Sequence, residues 1–568
     1  MSLSRESLLN SFKPDGQTTV LVVKSFKRGE PLVLSEPVGA ATPRAAADLC
    51  LVKLMVGPGN PGPADAPSTS PGIGIEVWLP SPENWNNRVH AIGGNGWSGG
   101  NAGSPTHIAN SMFAADVAAA EGSVVSTCDS GHSGQRGDLG GVASSNGDFA
   151  MDPDGTLGKA QWKDFSSRCL HEQAVKTKAL AAAYYGRPAS YSYFDGLSLG
   201  GRQGYKLAQE FPDDYDGIVA NCPAIHWTRF STAGLYPNIV YQQDLGGVPL
   251  TEEQMDLVSN AAIRSCDTVG GVHLGHIMDD EACRYDPTQD SAVLCVSDGG
   301  SNTTPHCLTK AQAQAVNKMW YGMTADGSVP SPATDNGWDK PLGGVRRWYG
   351  RPRGTSLYSA TLYRLFKIKA QPQADVVALE LQNPTLAEAD FRNASGNGAQ
   401  LWKTLSYQQL SNAFDRGIAL QPVFDYINTD SADLSAFKAR GGKLLTWHGL
   451  NDETIPVQGT IGYYERVAER MGGLESVRSF FRLYLLPGIG HSGSNGTSNP
   501  DACPPVVPWG YFYKLMVDWV ERGVAPQRIE IESAPGSAVR VSQPIFPYPQ
   551  KARYVGGDPR AAGSYASS

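Results

Sequence analysis

The residues Gly196-Leu197-Ser198-Leu199-Gly200 spell G-x-S-x-G, behind an aromatic, strand-like run Tyr191-Ser192-Tyr193-Phe194 and ahead of a helix-like segment from Gln203 to Glu210. Strand, sharp turn and helix is the setting in which a serine becomes a nucleophile, because flanking glycines let the backbone take a strained turn that lifts the hydroxyl clear of a sheet. A serine hydroxyl is a weak nucleophile at neutral pH, so it needs a base, and the base needs a carboxylate to orient it. Asp452 follows the strand-like Leu444 to Trp447, and His491 follows the strand-like Phe480 to Leu486. Serine, acid, then histidine, each in a loop after a strand, is the order found in α/β-hydrolases. Ser198, Asp452 and His491 are therefore the expected catalytic residues.

Acyl transfer also needs donors for the tetrahedral oxyanion. The backbone N–H of Leu199, directly after the nucleophile, is one. The other is expected from a glycine-rich loop after an early strand; Gly93-Gly94-Asn95-Gly96 follows the strand-like Arg88 to Ile92, and Gly94 is preferred over Gly96. A nucleotide-phosphate loop is not what this run encodes, since no Lys-Ser/Thr follows it and no G-x-G-x-x-G opens a helix. Asp195 lies on the elbow strand itself and reads as structural.

These groups need a scaffold. Strand-like segments at 73–80, 88–92, 122–127, 191–194, 218–221, 442–447 and 480–486 alternate with helix-like segments at 171–185, 203–210 and 459–471. That alternation indicates a parallel α/β sheet. The rhythm fails from about Ile225 to Ala432, a stretch of cysteines, polar loops and aromatics. The expected architecture is an α/β-hydrolase domain in two parts, residues 1–224 and 433–568, with a lid domain, 225–432, inserted between nucleophile and acid. Insertions over strand ends commonly shape the substrate pocket.

A chain of 568 residues exceeds one ordinary core, which agrees with this division. Net charge is −8, only 18% of residues are charged, and there is no basic tract, which argues against nucleic-acid or acidic-membrane partners. No apolar run approaches the roughly 20 residues that span a bilayer. A small-molecule substrate is the expected partner; the sequence is silent on oligomeric state. The nine cysteines are an odd number, and Cys266, Cys283, Cys295 and Cys307 cluster, as disulfides or metal ligands do. Disulfides suggest an oxidising compartment, whereas the start Met1-Ser2-Leu3-Ser4-Arg5-Glu6 has no hydrophobic signal core. The balance leans toward a secreted or periplasmic protein, with the cytoplasm as the alternative.

Several stretches carry a family resemblance: Gly93-Gly94-Asn95-Gly96-Trp97, the loop Ser126 to Gly134, Ser198-Leu199-Gly200-Gly201-Arg202-Gln203-Gly204, Phe211 to Ile218 and Asp433 to Lys443. In these the chain resembles the tannase and feruloyl esterase family, which includes mono(2-hydroxyethyl) terephthalate hydrolases. The resemblance implies an α/β-hydrolase fold with a lid that hydrolyses esters of aromatic acids, and it places the triad on Ser198, Asp452 and His491. It also makes His448 a substrate-pocket residue and pairs Cys266 with Cys283, with Cys295–Cys307 as the companion disulfide.

Two departures stand out. The family's cysteines before the serine and after the histidine are Leu197 and Ser492 here, so the disulfide beneath the triad is expected to be absent, with packing by Leu197 in its place. The family's lid Ca²⁺ loop keeps Asp267 but has Gly270 and Leu274 at the other two carboxylate positions; a hard dication needs several anionic oxygens, so no metal cofactor is expected. Zinc on Cys266, His273, His276 and Cys283 is a competing reading of the same loop, disfavoured by its spacing. Among other residues, His132 and Ser133 read as loop scaffolding, Arg202 as a possible ion-pair partner at the sheet edge, and the lid arginines 346, 347, 351 and 353 as solvated surface. The lid aromatics Trp320, Tyr321, Trp348, Tyr349, Tyr358, Tyr363 and Phe366 read as core or as a substrate slot.

The function these readings support is a serine carboxylic ester hydrolase acting on phenolic, hydroxycinnamic, gallic or phthalic-type esters through an acyl-enzyme. The alternatives are an acyltransferase using the same triad, or a catalytically silent binding protein on the same scaffold.

Overall fold

The computed structural model describes residues 11–133, 138–139, 142–143, 146–338, 342–355, 357, 371–491 and 503–568. Its centre is a nine-stranded sheet. The strands are β1 (Thr18–Phe26), β2 (Leu49–Val56), β3 (Ile73–Pro80), β4 (Arg88–Ile92), β5 (Val124–Cys128), β6 (Tyr191–Leu197), β7 (Gly217–Asn221), β8 (Lys443–Gly449) and β9 (Phe481–Leu486), in the spatial order β1-β2-β3-β5-β4-β6-β7-β8-β9. The β1–β2, β2–β3 and β3–β5 pairs are antiparallel, and every pair from β5 to β9 is parallel. This is an α/β-hydrolase sheet, and the parallel part brings the carboxyl ends of β6, β7, β8 and β9 to one edge. β1 and β2 extend it beyond the strands legible in the sequence.

The parallel strands are apolar on both faces, as strands covered by helices on both sides must be. Successive residues enter different cores. Phe194, Ile218, Leu444 and Leu483 join one cluster. Their neighbours Tyr193, Val219, Leu445 and Tyr484 join the other. The helices α1 (Ala114–Glu121), α2 (Cys169–Tyr185) and α3 (Leu199–Glu210) fill the connections before β7.

Among the described residues, no strand of the main sheet comes between β7 and β8 in the chain. Helices occupy that stretch instead: α4 (Trp227–Gly234), α5 (Tyr236–Asp244), α6 (Glu252–Cys266), α7 (Lys310–Tyr321), α8 (Gln371–Glu380) and α9 (Tyr407–Ala419). Thr251, Thr309 and Ser406 cap α6, α7 and α9 in reciprocal capping boxes with Gln254, Gln312 and Gln409. The apolar core of these helices is continuous with Trp97, Phe149, Trp162, Phe165 and Leu199, which belong to the hydrolase part, so the inserted helices pack directly onto the segment bearing the elbow.

Cys266–Cys283 and Cys295–Cys307 are disulfides, while Cys50, Cys128, Cys169 and Cys222 are free thiols. In this arrangement the four side chains of the zinc reading have other partners. Both sulfurs are spent in one bond, His273 Nδ1 lies on Asp267, and His276 Nε2 lies against Gln543. Asp267 also accepts the Gly275 N–H at 2.8 Å, and Leu274 is buried. One carboxylate already engaged by an imidazole and an amide does not suit a hard dication.

Candidate active site

Ser198 sits between β6 and α3 at φ 62°, ψ −116°, a conformation that side chains other than glycine rarely adopt. Such a residue costs about 1–3 kcal/mol and persists only where its surroundings fix it. Here its N–H donates to Asn221 O at 2.9 Å and its carbonyl accepts from Ala224 N–H at 3.0 Å, which ties the elbow to the end of β7. Gly196 has no alternative: a Cβ there would lie 2.4 Å from the Gly200 carbonyl carbon.

At the end of β8, Asp452 is buried and its two oxygens are divided between two tasks. Oδ1 accepts the N–H groups of Thr454 and Ile455 at 2.9 and 2.7 Å. Oδ2 takes His491 Nδ1 at 2.8 Å and His448 Nε2 at 3.0 Å. Burial alone would raise the Asp452 pKa; the two imidazoles outweigh it and hold the carboxyl well below its usual range. For His491 burial acts downward, but the Asp452 charge, the hydrogen bond to it and Glu453 leave the pKa raised. Glu453 accepts the His491 backbone N–H at 3.0 Å and is itself pushed upward, by burial first and then by Asp452.

His448 is not a pocket residue. It is fully buried, with Nδ1 on the Thr460 hydroxyl at 3.0 Å and Nε2 shared between Asp452 and Ile455 O. Both Nε2 partners are acceptors, so the proton is on Nε2 and His448 donates to the carboxylate. The expectation that it touches substrate is corrected: its ring has no free face for a ligand's polar atoms.

Gly94 is corrected as well. Its N–H donates to Gln203 Oε1 at 2.9 Å and is not available to an oxyanion. The Gly93 N–H is likewise taken, by Asp195 O at 2.9 Å. The next amide, that of Asn95, donates to no described residue. With its amide oriented to match donors to acceptors, the Asn95 side chain donates to Gly94 O at 3.2 Å and Leu197 O at 3.3 Å, fastening this loop to the residue before Ser198. The Leu199 N–H opens α3 and is not used within the helix.

The model for "Tannase and feruloyl esterase" matches residues 62–568 of this chain. The chain belongs to that family. It is 31% identical to a probable feruloyl esterase of Arthroderma benhamiae, over 93% of this chain and 87% of that protein. It is 29% identical to the mono(2-hydroxyethyl) terephthalate hydrolase of Piscinibacter sakaiensis, over 87% and 81%. The crystal structure of feruloyl esterase B from Aspergillus oryzae superposes with a TM-score of 0.72 at 25% identity, covering 99% of this chain and 98% of that one. This protein is therefore a carboxylic ester hydrolase of the tannase and feruloyl esterase type.

In this esterase, Leu197 is partly buried against a cluster that includes Cys222, Trp447, Tyr484 and Ile489. Ser492, Tyr358, Tyr363 and Phe366 lie outside the described residues. Cys222, which sequence reading passed over, follows β7 and faces Asp452; burial first and then that carboxylate push its thiol well above the usual range, so it is protonated. Asp195 is partly buried, with its carboxyl raised to about 6 by desolvation. Among the described residues Arg202 has no ion-pair partner: it is fully buried and donates to Thr429 Oγ1 and to the carbonyls of Phe165 and Ser166. Of the lid arginines, Arg346 and Arg353 are buried rather than solvated, and Arg347 pairs with Asp415. Trp320 and Trp348 are core residues.

Proposed function

We propose that this esterase cleaves esters of aromatic acids with Ser198 as nucleophile, His491 as base and acid, and Asp452 as the group that holds the imidazole. The observation that carries this reading is the 2.8 Å contact from His491 Nδ1 to the buried Asp452 carboxylate. An ionised carboxylate only accepts, so the neutral ring carries its proton on Nδ1 and Nε2 keeps the lone pair. Nε2 then takes the Ser198 proton as Oγ attacks the ester carbonyl, and returns it to the leaving alcohol. The N–H of Leu199 supports the oxyanion, with the Asn95 N–H as the second donor in place of Gly94. Water repeats the sequence on the acyl-enzyme to release the acid.

The aromatic acid class is supported by the names of the relatives, which act on feruloyl and terephthalate esters by those names. Phenolic, hydroxycinnamic, gallic and phthalic-type acids fall within it. Turnover of ferulate, gallate, monoterephthalate and phthalate esters against acetate and butyrate controls tests the class. Faster turnover of the short aliphatic esters than of any aromatic ester would refute it. Product ratios with added methanol separate hydrolysis from acyl transfer.

A further inference from the structure

The Cys222 sulfur, an Asp452 carboxylate oxygen and a His491 ring nitrogen all lie within 4.8 Å of one another. A thiol, an imidazole and a carboxylate converging from three separate strand ends make a ligand set of mixed softness. We propose that Cys222, Asp452 and His491 form a binding site for a thiophilic divalent cation, Zn²⁺ above all, and that its occupancy arrests the esterase. This inference rests on the triad reading given above, because the arrest acts through His491.

Ligand chemistry selects the ion. Zn²⁺ binds thiolate at about 2.3 Å and imidazole or carboxylate at about 2.0–2.2 Å, and three protein ligands with an open fourth position is a common zinc arrangement. Thiolate and imidazole favour Zn²⁺ and copper over Mg²⁺ and Ca²⁺, which seek oxygen alone. The three residues stand on well-fixed backbone. The Cys222 N–H donates to Trp447 O at 2.9 Å, Asp452 Oδ1 is held by two amides, and the His491 N–H is held by Glu453. His448 braces the Asp452 oxygen that faces the ring, as outer-shell donors commonly brace metal-ligating carboxylates. The His491 side chain is 14% exposed while Asp452 is sealed, so an ion reaches the set past His491.

The proton balance explains the arrest. Zn²⁺ replaces the thiol proton of Cys222, which leaves to solvent as one H⁺. On His491 the ion takes the Nδ1 lone pair, so the ring's proton moves to Nε2. An imidazole protonated at Nε2 has no lone pair to receive the Ser198 proton. No redox change is involved, and a chelator reverses the state.

The test uses the full chain stripped of metal, in the Ser198→Ala background so that metal binding is read apart from catalysis. Titration with Co²⁺ is expected to give one equivalent bound, with a thiolate-to-cobalt charge-transfer band in the near ultraviolet that Zn²⁺ displaces. Adding Cys222→Ser should remove the band and weaken binding, because the thiolate ligand itself is lost. In parallel, Zn²⁺ should inhibit the wild-type esterase reversibly, and Cys222→Ser, judged against its own metal-free rate, should be at least about tenfold less sensitive. Cys222→Ala, checked for fold by circular dichroism, repeats the comparison should the serine variant fold poorly. Absence of the band, or a band that survives Cys222→Ser, overturns the site. A band accompanied by full activity in Ser198→Ala would overturn the triad reading and leave the metal site standing.

Discussion

His448 and Asp452 stand one turn of chain apart, and His448 Nε2 donates to the same carboxylate oxygen that holds His491. The Asp452 carboxylate thus serves two imidazoles, that of His448 fully buried and that of His491 14% exposed. A hydrogen bond to a charged group is worth about 1.5–3 kcal/mol, and each 1.4 kcal/mol or so is tenfold in rate. His448→Leu is therefore expected to lower kcat by about 10–100-fold with KM little changed. His448→Gln, which can still donate to Asp452, should recover much of that loss. A KM-only defect in steady-state kinetics would return His448 to the substrate pocket.

The pH dependence follows from His491. Its pKa is raised, and in the proposed mechanism its base form is the active one, so the acid limb of kcat/KM should have its inflection above the ordinary value of 6.5. Asp452→Asn should move that inflection downward and cut the rate by about 10⁴-fold. Stability has the matching signs. His491, raised on folding, contributes fully below its unfolded pKa and loses that contribution as pH rises through the folded value. Asp452, lowered on folding, contributes fully above its unfolded pKa and loses it as pH falls. The pair therefore stabilises most between about pH 4 and 6.5. Urea unfolding across pH, compared with Asp452→Asn, measures it; parallel curves for the two proteins would contradict the coupling.

Gly93 interlocks the loop and the elbow helix. A Cβ on it would lie 2.7 Å from Gly200 Cα and 2.8 Å from Gln203 Oε1, and the first of these is backbone that cannot move aside. Gly93→Ala should push the Asn95 amide out of line and reduce kcat by about 10²–10³-fold, the usual loss for one oxyanion donor. Unchanged kcat in a folded variant would show that this loop does not serve the oxyanion.

The Cys266–Cys283 bond closes a loop across a sequence separation of 17. A loop near that length contributes about 3 kcal/mol by restricting the unfolded chain. The double variant Cys266→Ser/Cys283→Ser should unfold at lower urea by roughly 2–3 kcal/mol, while turnover per folded molecule stays close to wild type. An unchanged midpoint would mean the lid loop is already ordered when unfolded elsewhere.

Ser198, Asp452 and His491 could be singled out because each sits in a local pattern, a glycine-flanked serine and then loops directly after apolar strands, and the structure brings the last two within 2.8 Å. What a side chain does to a distant backbone was not legible. Gly94 looked free, yet Gln203 takes its N–H from the far end of the nucleophile turn. His448 carries no local sign that its ring turns inward to Asp452. Cys222 attracted no notice because its significance is only spatial, at the junction of β7 with the loops after β8 and β9. β1 and β2 were missed because the β1–β2 and β2–β3 pairings are tertiary, and the lid helices because aromatics, cysteines and turns obscure their period.

The most direct measurement is hydrolysis of an activated aromatic ester by wild type and Ser198→Ala, with the acyl adduct sought by peptide mass spectrometry under burst conditions. Ser198→Ala is expected to fold normally and lose activity by about 10⁴–10⁶-fold, with the wild-type adduct on the peptide carrying Ser198. Activity within tenfold of wild type in Ser198→Ala, or an adduct on a different residue, would contradict the assignment of the nucleophile.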